Sequence, residues 1–252
     1  MTTLAGRVAL ITGAGMGMGR RHALTLASRG ASVIALDIDA EAAEETAALV
    51  RRAGGTASAL VADVARGDQL VRAIREAEAR EGSIDVLVNN AGVHKRQALE
   101  EIAESDLDWM LGVNVKGTYF ATKAVIPGMK RRRRGKIINI SSAWGLAGNP
   151  TDSHYCGAKA AVLGLTKAWA KELAPHNINV NAVAPGMVMT EMTRRNRSAA
   201  ELRQFTDELI PLGRLAEPEE ISYCVAFLAS SQSDFITGQV ISPNGGEFIV
   251  GI

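Results

Sequence analysis

The sequence has little cysteine, few aromatic side chains and almost no excess of either charge. Only two cysteines, Cys156 and Cys224, occur in 252 residues. Their distant positions do not resemble a metal site, so we expect reduced thiols, no metal and a reducing compartment. The formal net charge of +1 gives the chain no general electrostatic attraction to nucleic acids or anionic membranes.

Long apolar runs are also missing. No run approaches the roughly 18 residues that a membrane span requires. The first residues, Met1–Arg7, lack the charged and apolar regions of a signal peptide and lead directly into a strand-like run. These absences predict a cytoplasmic protein with no membrane partner.

Most of the chain alternates between short apolar runs and longer amphipathic stretches. The runs are continuous in Val, Ile, Leu and Ala, which is typical of strands covered on both faces of a parallel sheet. The predicted strands are Val8–Thr12, Ser32–Asp37, Ala57–Asp63, Asp85–Asn89, Lys136–Ser141, Asn177–Val183 and Gln239–Ser242. Helix-like stretches such as Ala40–Arg52 and Gly67–Glu81 separate them. With no repeat or linker, the pattern predicts one α/β domain over residues 1–252, a doubly wound parallel sheet (Rossmann fold) of about seven strands with helices on both faces.

Four glycines lie between the first predicted strand and a helix-like stretch that begins at Arg20. Their spacing is T-G-x-x-x-G-x-G from Thr12 to Gly19, and Met18 stands where G-x-G-x-x-G would need its third glycine. Such a turn lets the backbone approach a pyrophosphate at a helix N-terminus. We interpret it as a dinucleotide site; an ordinary glycine-rich turn is the alternative.

The second predicted strand ends at Asp37, eighteen residues after Gly19. A carboxylate at this position accepts both ribose hydroxyls of an adenosine and repels a 2′-phosphate, which favours NAD over NADP. Met16 in the turn supplies no cation for such a phosphate. The alternative is that Asp37 caps the next helix, and Arg20 and Arg21 keep NADP in consideration as the less favoured cofactor.

A tyrosine and a lysine stand four residues apart, at Tyr155 and Lys159, and therefore share one face of a helix. A free tyrosine has a pKa near ~10, and a neighbouring ammonium group stabilises the tyrosinate and lowers that pKa. Thirteen residues before Tyr155, Ser142 directly follows a predicted strand, and its hydroxyl can donate to a substrate oxygen. An amphipathic helix beside a turn serine would give the same pattern, so the pair is weak by itself.

The ordered set of motifs resembles the compact branch of the short-chain dehydrogenase/reductase family over nearly the whole chain. The matching elements are the Thr12–Gly19 turn, Asn89-Asn90-Ala91-Gly92, Asn114, Ser142, Tyr155-x-x-x-Lys159 and Pro185-Gly186. The resemblance implies that Tyr155 is the general acid/base, Lys159 holds the nicotinamide ribose and lowers the Tyr155 pKa, and Ser142 orients the substrate oxygen. Asn114 would hold a water that links Lys159 to solvent, unless it is only a helix cap.

The resemblance also implies a cofactor cleft and a mode of assembly. Asp63 and Val64 would flank the adenine, and Thr190 would bond the nicotinamide carboxamide. The implied cofactor-binding residues are Gly13, Gly17, Met18, Asp37, Ile38, Asp63, Val64, Asn90, Gly92, Tyr155, Lys159, Pro185, Gly186, Val188 and Thr190. The helices 114–130 and 155–173 would pair across subunits in a homotetramer, although core packing explains the same apolar faces.

The substrate pocket is predicted from family position. Its residues would include His94, Ser142, Trp144, Tyr155 and Met187, which suggest an apolar, adaptable pocket. Further candidates are Leu146, His154, Met189, Met192 and the arginines Arg194, Arg195 and Arg197. The stretch Met187–Leu212 reads as a substrate loop over the site.

A run of four arginines, Arg131–Arg134, could contact polyanions. It follows a helix and precedes a strand, on the side away from the strand carboxyl ends, so we interpret it as a solvated turn and expect no nucleic acid partner. The sequence predicts an NAD-dependent oxidoreductase acting on a small-molecule secondary alcohol or ketone. The alternatives are an NADPH-dependent 3-oxoacyl-thioester ketoreductase and a non-catalytic nucleotide sensor.

Overall fold

The computed structural model describes residues 3–196 and 198–249. Its centre is a seven-stranded sheet in the order β3-β2-β1-β4-β5-β6-β7, in which every neighbouring pair is parallel. The strands are β1 (Val8–Thr12), β2 (Ser32–Asp37), β3 (Thr56–Val61), β4 (Val86–Asn89), β5 (Gly135–Ile140), β6 (Ile178–Val183) and β7 (Val240–Ile241). The predicted fold class is confirmed, and the predicted strand bounds differ from these by at most two residues.

Helices connect the strands on both faces of the sheet. They are α1 (Gly17–Ser28), α2 (Ala40–Arg52), α3 (Gly67–Glu81), α4 (Glu104–Leu111), α5 (Thr118–Arg132), α6 (Trp144–Ala147), α7 (Ser153–Leu173), α8 (Glu191–Asn196), α9 (Ala199–Leu209) and α10 (Pro218–Ala229). Within residues 3–196 and 198–249, none of these helices combines the length and the hydropathy of a membrane span.

The sheet is buried because successive strand residues point into two different cores. Ile11 of β1 packs with Leu26 of α1 and Val225 of α10 on one face. Its neighbour Leu10 packs with Val125 of α5 on the other face, in a core that α3 and α7 complete. This two-sided burial explains why the strands read as continuous apolar runs.

The strand order reverses between β1 and β4, because the chain first adds β2 and β3 on one side and later β5, β6 and β7 on the other. The loops after β1 and β4 therefore leave the sheet in opposite directions and open a crevice at the strand carboxyl ends. In open parallel sheets this crevice is where ligands bind. The predicted Gly13 and Asn90 both lie at this edge.

The segment predicted as a substrate loop is more ordered than an irregular loop. It contains α8 and α9, and Ser198 caps α9 by accepting from the Glu201 amide while the Glu201 carboxylate accepts from the Ser198 amide. Leu202 and Phe205 of α9 pack with Ile210 and Leu215 into a small core of their own. The segment is therefore a helical flap that carries its own hydrophobic contacts.

The prediction that Arg131–Arg134 is merely a solvated turn is partly wrong. Arg132 lies 2.9 Å from a carboxylate oxygen of Glu78 and donates to a backbone carbonyl. Arg134 lies 2.7 Å from Asp85, whose side chain is only 1% exposed. Since a buried carboxylate needs a partner of opposite charge, these arginines hold the turn before β5 to the start of β4.

Candidate functional site

The glycine turn after β1 leaves space for a ligand to approach its backbone. Gly13 and Gly17 have φ angles of +63° and +54°, which residues other than glycine rarely adopt. A Cβ on Gly13 would lie 2.8 Å from the Ala91 Cα, whereas a Cβ on Gly17 would meet no atom within 4 Å. The side-chain Nδ2 of Asn90 closes the turn by donating to the backbone carbonyls of Thr12 and Gly13.

The helix that follows the turn begins without a side-chain cap. Met16 is the N-cap of α1 and makes no side-chain cap bond, and the first turn of α1 has no acidic residue. The unbonded N–H groups and the positive end of the helix dipole therefore face the crevice. An open glycine at Gly17 and an uncapped helix together fit the pyrophosphate of a dinucleotide.

Asp37, at the end of β2, is bonded to the glycine turn. Its Oδ2 accepts from the Gly15 amide at 2.7 Å, and its Oδ1 accepts from the Asp39 amide at 3.1 Å. The alternative that Asp37 caps the next helix is wrong, because Asp39 is the N-cap of α2 and accepts from two amides of its first turn. Asp37 therefore stands at the crevice with its carboxylate fixed by the backbone.

A cavity of about 480 Å³ runs along this edge of the sheet. Many of the predicted cofactor residues line it, namely Gly13, Gly17, Met18, Asp37, Ile38, Asp63, Val64, Asn90, Gly92 and Thr190. The charged side chains of this lining, within the described part of the chain, are Asp37, Asp63 and Glu191, all acidic.

Trp109 and Val113 are among the lining residues that were not predicted. They lie four residues apart, so a helical reading of this stretch would have placed them on one face with each other. Trp109 remains 44% exposed and offers an aromatic surface to the cavity. The three remaining predicted cofactor residues of the loop after β6 lie along a neighbouring cavity; they are Pro185, Gly186 and Val188.

The two arginines that kept NADP in consideration are engaged elsewhere. Arg20 donates to the Gly15 carbonyl and pairs with Glu45. Arg21 pairs with Glu219 at the start of α10. Neither side chain lines the nucleotide cavity.

The predicted acid/base Tyr155 lies in the first turns of α7, opposite the end of β5. Burial raises the pKa of Tyr155 to about 12, while a hydrogen bond from Ser142 acts in the opposite direction. The structure thus brings the Ser142 and Tyr155 side chains together as predicted. The chain's own groups, however, do not lower the Tyr155 pKa, because burial outweighs them.

Lys159 lies one turn further along α7 and is buried. Its Nζ donates to the Ile140 carbonyl at 3.0 Å and lies 5.7 Å from the centroid of the Tyr155 ring. Burial lowers the pKa of Lys159 to about 8. A Cβ on Gly92 would lie 3.3 Å from this Nζ and 2.8 Å from Asn114 Oδ1, so only glycine leaves room between the two groups.

Asn114 lies in a π-helical segment, Gly112–Gly117, that joins α4 to α5. Its Nδ2 donates to the carbonyls of Val93 and Met110, both at 3.0 Å, while its Oδ1 is buried without a hydrogen-bond partner. A buried acceptor without a partner is costly. The residue does more than cap a helix, and its Oδ1 fits a water molecule held beside Lys159.

A smaller cavity of about 100 Å³ adjoins the nucleotide cavity, and Met18 and Thr190 line both. The predicted substrate residues His94, Ser142, Trp144, Tyr155 and Met187 all line it. The His94 ring meets the Tyr155 ring edge-on at a centroid distance of 4.9 Å. The polar groups of His94, Ser142 and Tyr155 therefore lie in a cavity whose lining is otherwise mostly apolar.

Several weaker pocket candidates lie elsewhere. Leu146, His154 and Met189 are not among the described lining residues; Met189 packs against the flap core. His154 is buried, both of its ring nitrogens lack hydrogen-bond partners, and burial lowers its pKa. Arg194 is exposed on α8. The side chains of Met192 and Arg195, and the whole of Arg197, lie outside the described residues.

Comparison with known proteins identifies the family. The family model described as enoyl-(acyl carrier protein) reductase matches residues 13–247. A 3-oxoacyl-(acyl-carrier-protein) reductase FabG from Thermotoga maritima is 43% identical over 96% of this chain and 98% of its own. Its counterpart from Synechocystis is 40% identical over 98% of both chains.

Solved structures agree with the sequence relatives. A gluconate 5-dehydrogenase from Burkholderia cenocepacia, crystallised with NADP and tartrate, is 39% identical over 97% of this chain and 96% of its own, with a TM-score of 0.93. A short-chain type dehydrogenase/reductase from Mycobacterium marinum is 34% identical over 98% of both chains, with a TM-score of 0.92. The chain belongs to the short-chain dehydrogenase/reductase family and is an oxidoreductase that interconverts alcohol and carbonyl groups with a nucleotide cofactor.

Proposed function

We propose that the chain transfers hydride between NAD(H) and a small secondary alcohol or ketone, with Tyr155 as the general acid/base. The observation that carries this proposal is the junction of the two cavities. Tyr155 and Ser142 line the smaller cavity, the glycine turn lines the larger one, and Met18 and Thr190 belong to both. A substrate beside Tyr155 would therefore adjoin the cofactor.

The chemistry divides between the chain and its cofactor. A bound nicotinamide supplies the hydride acceptor or donor. Ser142 would donate to the substrate oxygen, and Tyr155 would take the hydroxyl proton during oxidation and return it during reduction. Lys159 would stabilise the tyrosinate by its charge, and Asn114 Oδ1 would hold the water that connects Lys159 with solvent.

The preference for NAD rests on the charges of the nucleotide cavity. Asp37 offers a carboxylate where the adenosine ribose would lie, and the described lining contains acidic but no basic side chains. A 2′-phosphate would meet this negative charge without a compensating cation. The Burkholderia relative was crystallised with NADP, which supports the opposite choice, so the proposal depends on the residues particular to this chain.

The second candidate is NADPH-dependent reduction of a 3-oxoacyl thioester. The names of the 40–43% identical relatives favour it. The cavity beside Tyr155 measures about 100 Å³ and suits a short substrate better than a long acyl chain, unless the flap of α8 and α9 moves. The acidic nucleotide cavity also disfavours NADPH, so we keep this reading as the alternative.

The test is nicotinamide absorbance at 340 nm with the purified protein. NAD⁺ and NADP⁺ are compared with a panel of secondary alcohols, and NADH and NADPH with ketones and a 3-oxoacyl thioester. We expect NAD-linked turnover that Tyr155→Phe lowers by about 10²- to 10⁴-fold. Turnover restricted to NADPH and the thioester would establish the alternative, and cofactor binding with no turnover on any compound would favour a nucleotide sensor.

The proposal includes a cytoplasmic homotetramer. Tyr119 on α5 is 45% exposed and its ring lies 5.7 Å from that of the buried Trp169 on α7, so an exposed aromatic side chain lies beside α7 where subunits would pair. Sedimentation velocity at several protein concentrations tests this assembly. A single monomeric species at micromolar concentration would refute it.

A further inference from the structure

Asp152, directly before α7, is a carboxylate in an unusual position. It is the N-cap residue of α7, yet its side chain makes no cap bond. The side chain is fully buried and its Oδ1 lies 2.6 Å from His94 Nε2. Aspartate is among the best N-caps, so an uncapped helix with its Asp turned inward indicates that the contact with His94 has another purpose.

The backbone directly before Asp152 is also strained. Thr151 has a φ of +63°, a conformation that is unfavourable for a β-branched residue. Two contacts from the loop after β4 hold it there: the Gln97 amide donates to the Thr151 carbonyl at 2.8 Å, and Arg96 Nε donates to its hydroxyl at 3.0 Å. Such strain persists where surrounding contacts enforce it, and it concentrates at functional sites.

His94 connects this carboxylate to the substrate cavity. Its side chain is only 10% exposed, and its ring lies edge-on to Tyr155 and 5.8 Å from the ring of Trp144. A carboxylate bonded to one ring nitrogen fixes the orientation and the proton position of an imidazole.

We propose that Asp152 is a positioning residue that orients His94 to bind an oxygen substituent next to the reacting carbon of the substrate. This inference rests on the proposed function, and it names the substrate class as hydroxy acids and polyols rather than simple alkanols. Ser142 and Tyr155 would hold the reacting oxygen, and His94 would hold the second one. The site would then discriminate by a polar contact that an alkanol leaves unmade.

Three four-carbon substrates test this class with NAD⁺: 2-butanol, 2,3-butanediol and 2-hydroxybutanoate. They differ in whether the second oxygen is absent, a hydroxyl or a carboxylate. We expect kcat/KM for at least one oxygenated substrate to exceed that for 2-butanol by about 10- to 100-fold, the cost of leaving one buried hydrogen-bonding group without its partner. Which of the two is better identifies the substituent.

The variants separate positioning from structure. His94→Phe keeps a ring at this position and should lower kcat/KM for the oxygenated substrate more than for 2-butanol, so that the preference is lost. Asp152→Asn should raise KM for the oxygenated substrate about tenfold with a smaller effect on kcat, and His94→Gln should restore part of the preference. His154→Phe, a matched change at a buried histidine outside the lining, should leave the preference unchanged.

The outcomes distinguish this inference from the proposed function. Turnover without any preference for a second oxygen, or equal losses on all three substrates in His94→Phe, would overturn the inference alone. If none of the His94 and Asp152 variants unfolds cooperatively near the wild-type melting temperature, the role of the pair is structural. That result would also overturn the inference. Absence of turnover by the wild-type protein on all panels would overturn the proposed function itself.

Discussion

The cofactor preference can be reversed at two adjacent residues if the carboxylate of Asp37 sets it. The change is Asp37→Ser combined with Ile38→Arg. Ile38 is 66% exposed and lines the nucleotide cavity, so an arginine there can reach a 2′-phosphate without displacing the core. The double variant removes the negative charge and supplies the missing cation.

The size of the effect follows from two contributions. Two unit charges about 4 Å apart near a protein surface interact by about 4 kcal/mol, and partial exposure of Asp37 reduces this to about 2 kcal/mol. The loss of a charged hydrogen bond to a ribose hydroxyl costs NAD about 1.5–3 kcal/mol. Since about 1.4 kcal/mol is tenfold, the ratio of kcat/KM for NAD to that for NADP should fall by about 10²- to 10⁴-fold.

The assay is the initial rate at 340 nm with each cofactor over a range of concentrations. The ratio is the useful quantity, because Asp37 also accepts from the Gly15 amide and its loss should lower both rates. Asp39→Asn is the matched control: it removes the same charge two residues away, where Asp39 only caps α2, and should leave the ratio unchanged. A wild-type protein that prefers NADP, or a ratio unmoved in the double variant, refutes the reasoning.

Four further predictions concern single groups. Tyr155→Phe should lower kcat by about 10²- to 10⁴-fold with little change in the NADH dissociation constant, measured by fluorescence; a comparable loss of binding would contradict its role. Because burial raises the pKa of Tyr155 to about 12, the tyrosinate needed for oxidation becomes more abundant as pH rises, whereas the protonated form needed for reduction stays near full occupancy. Oxidation should therefore accelerate between about pH 7 and pH 10 while reduction changes little at this group, and a flat oxidation profile would contradict this. Burial lowers the pKa of His22 to about 3, so the unfolded state binds its proton first below about pH 6.5. Stability should fall by about 2 kcal/mol from pH 7 to 5 at this site, and His22→Gln should lose that much less in urea unfolding at the two pH values; equal losses would contradict it. Arg134→Gln should lower the free energy of unfolding by about 1–3 kcal/mol, because the buried Asp85 loses its 2.7 Å ion pair with Arg134. Arg131 is an exposed neighbour, so Arg131→Gln should lower it by under about 0.5 kcal/mol.

The parts of the site that were predictable from sequence are those fixed by local pattern. The glycine turn, Asp37 and Asn90 each follow a buried strand, and the carboxyl ends of parallel strands meet at one edge. Tyr155 and Lys159 share a helix face at a spacing of four. A correct strand assignment therefore placed all of these together before any tertiary contact was known.

The remaining features depend on contacts between distant segments. His94 and Asp152 are 58 residues apart, and neither residue signals the other by spacing. The rise in the Tyr155 pKa comes from burial, whereas the sequence displayed only the neighbouring lysine. The flap was more accessible to prediction, because Ser198 and Glu201 form an S-x-x-E capping box that marks the start of α9.

Asp37 links the proposed cofactor preference to the conformation of the glycine turn. A Cβ on Gly15 would lie 2.8 Å from Asp37 Oδ2, so only glycine at this position lets the carboxylate reach the Gly15 amide. Asp37 therefore holds the turn in shape, and under the proposed function the same carboxylate would also meet the adenosine ribose. Removing its charge should also loosen the turn, which is why we expect a reversed preference to come with lower absolute rates. A second substitution that restores an acceptor for the Gly15 amide should raise both rates while leaving their ratio reversed.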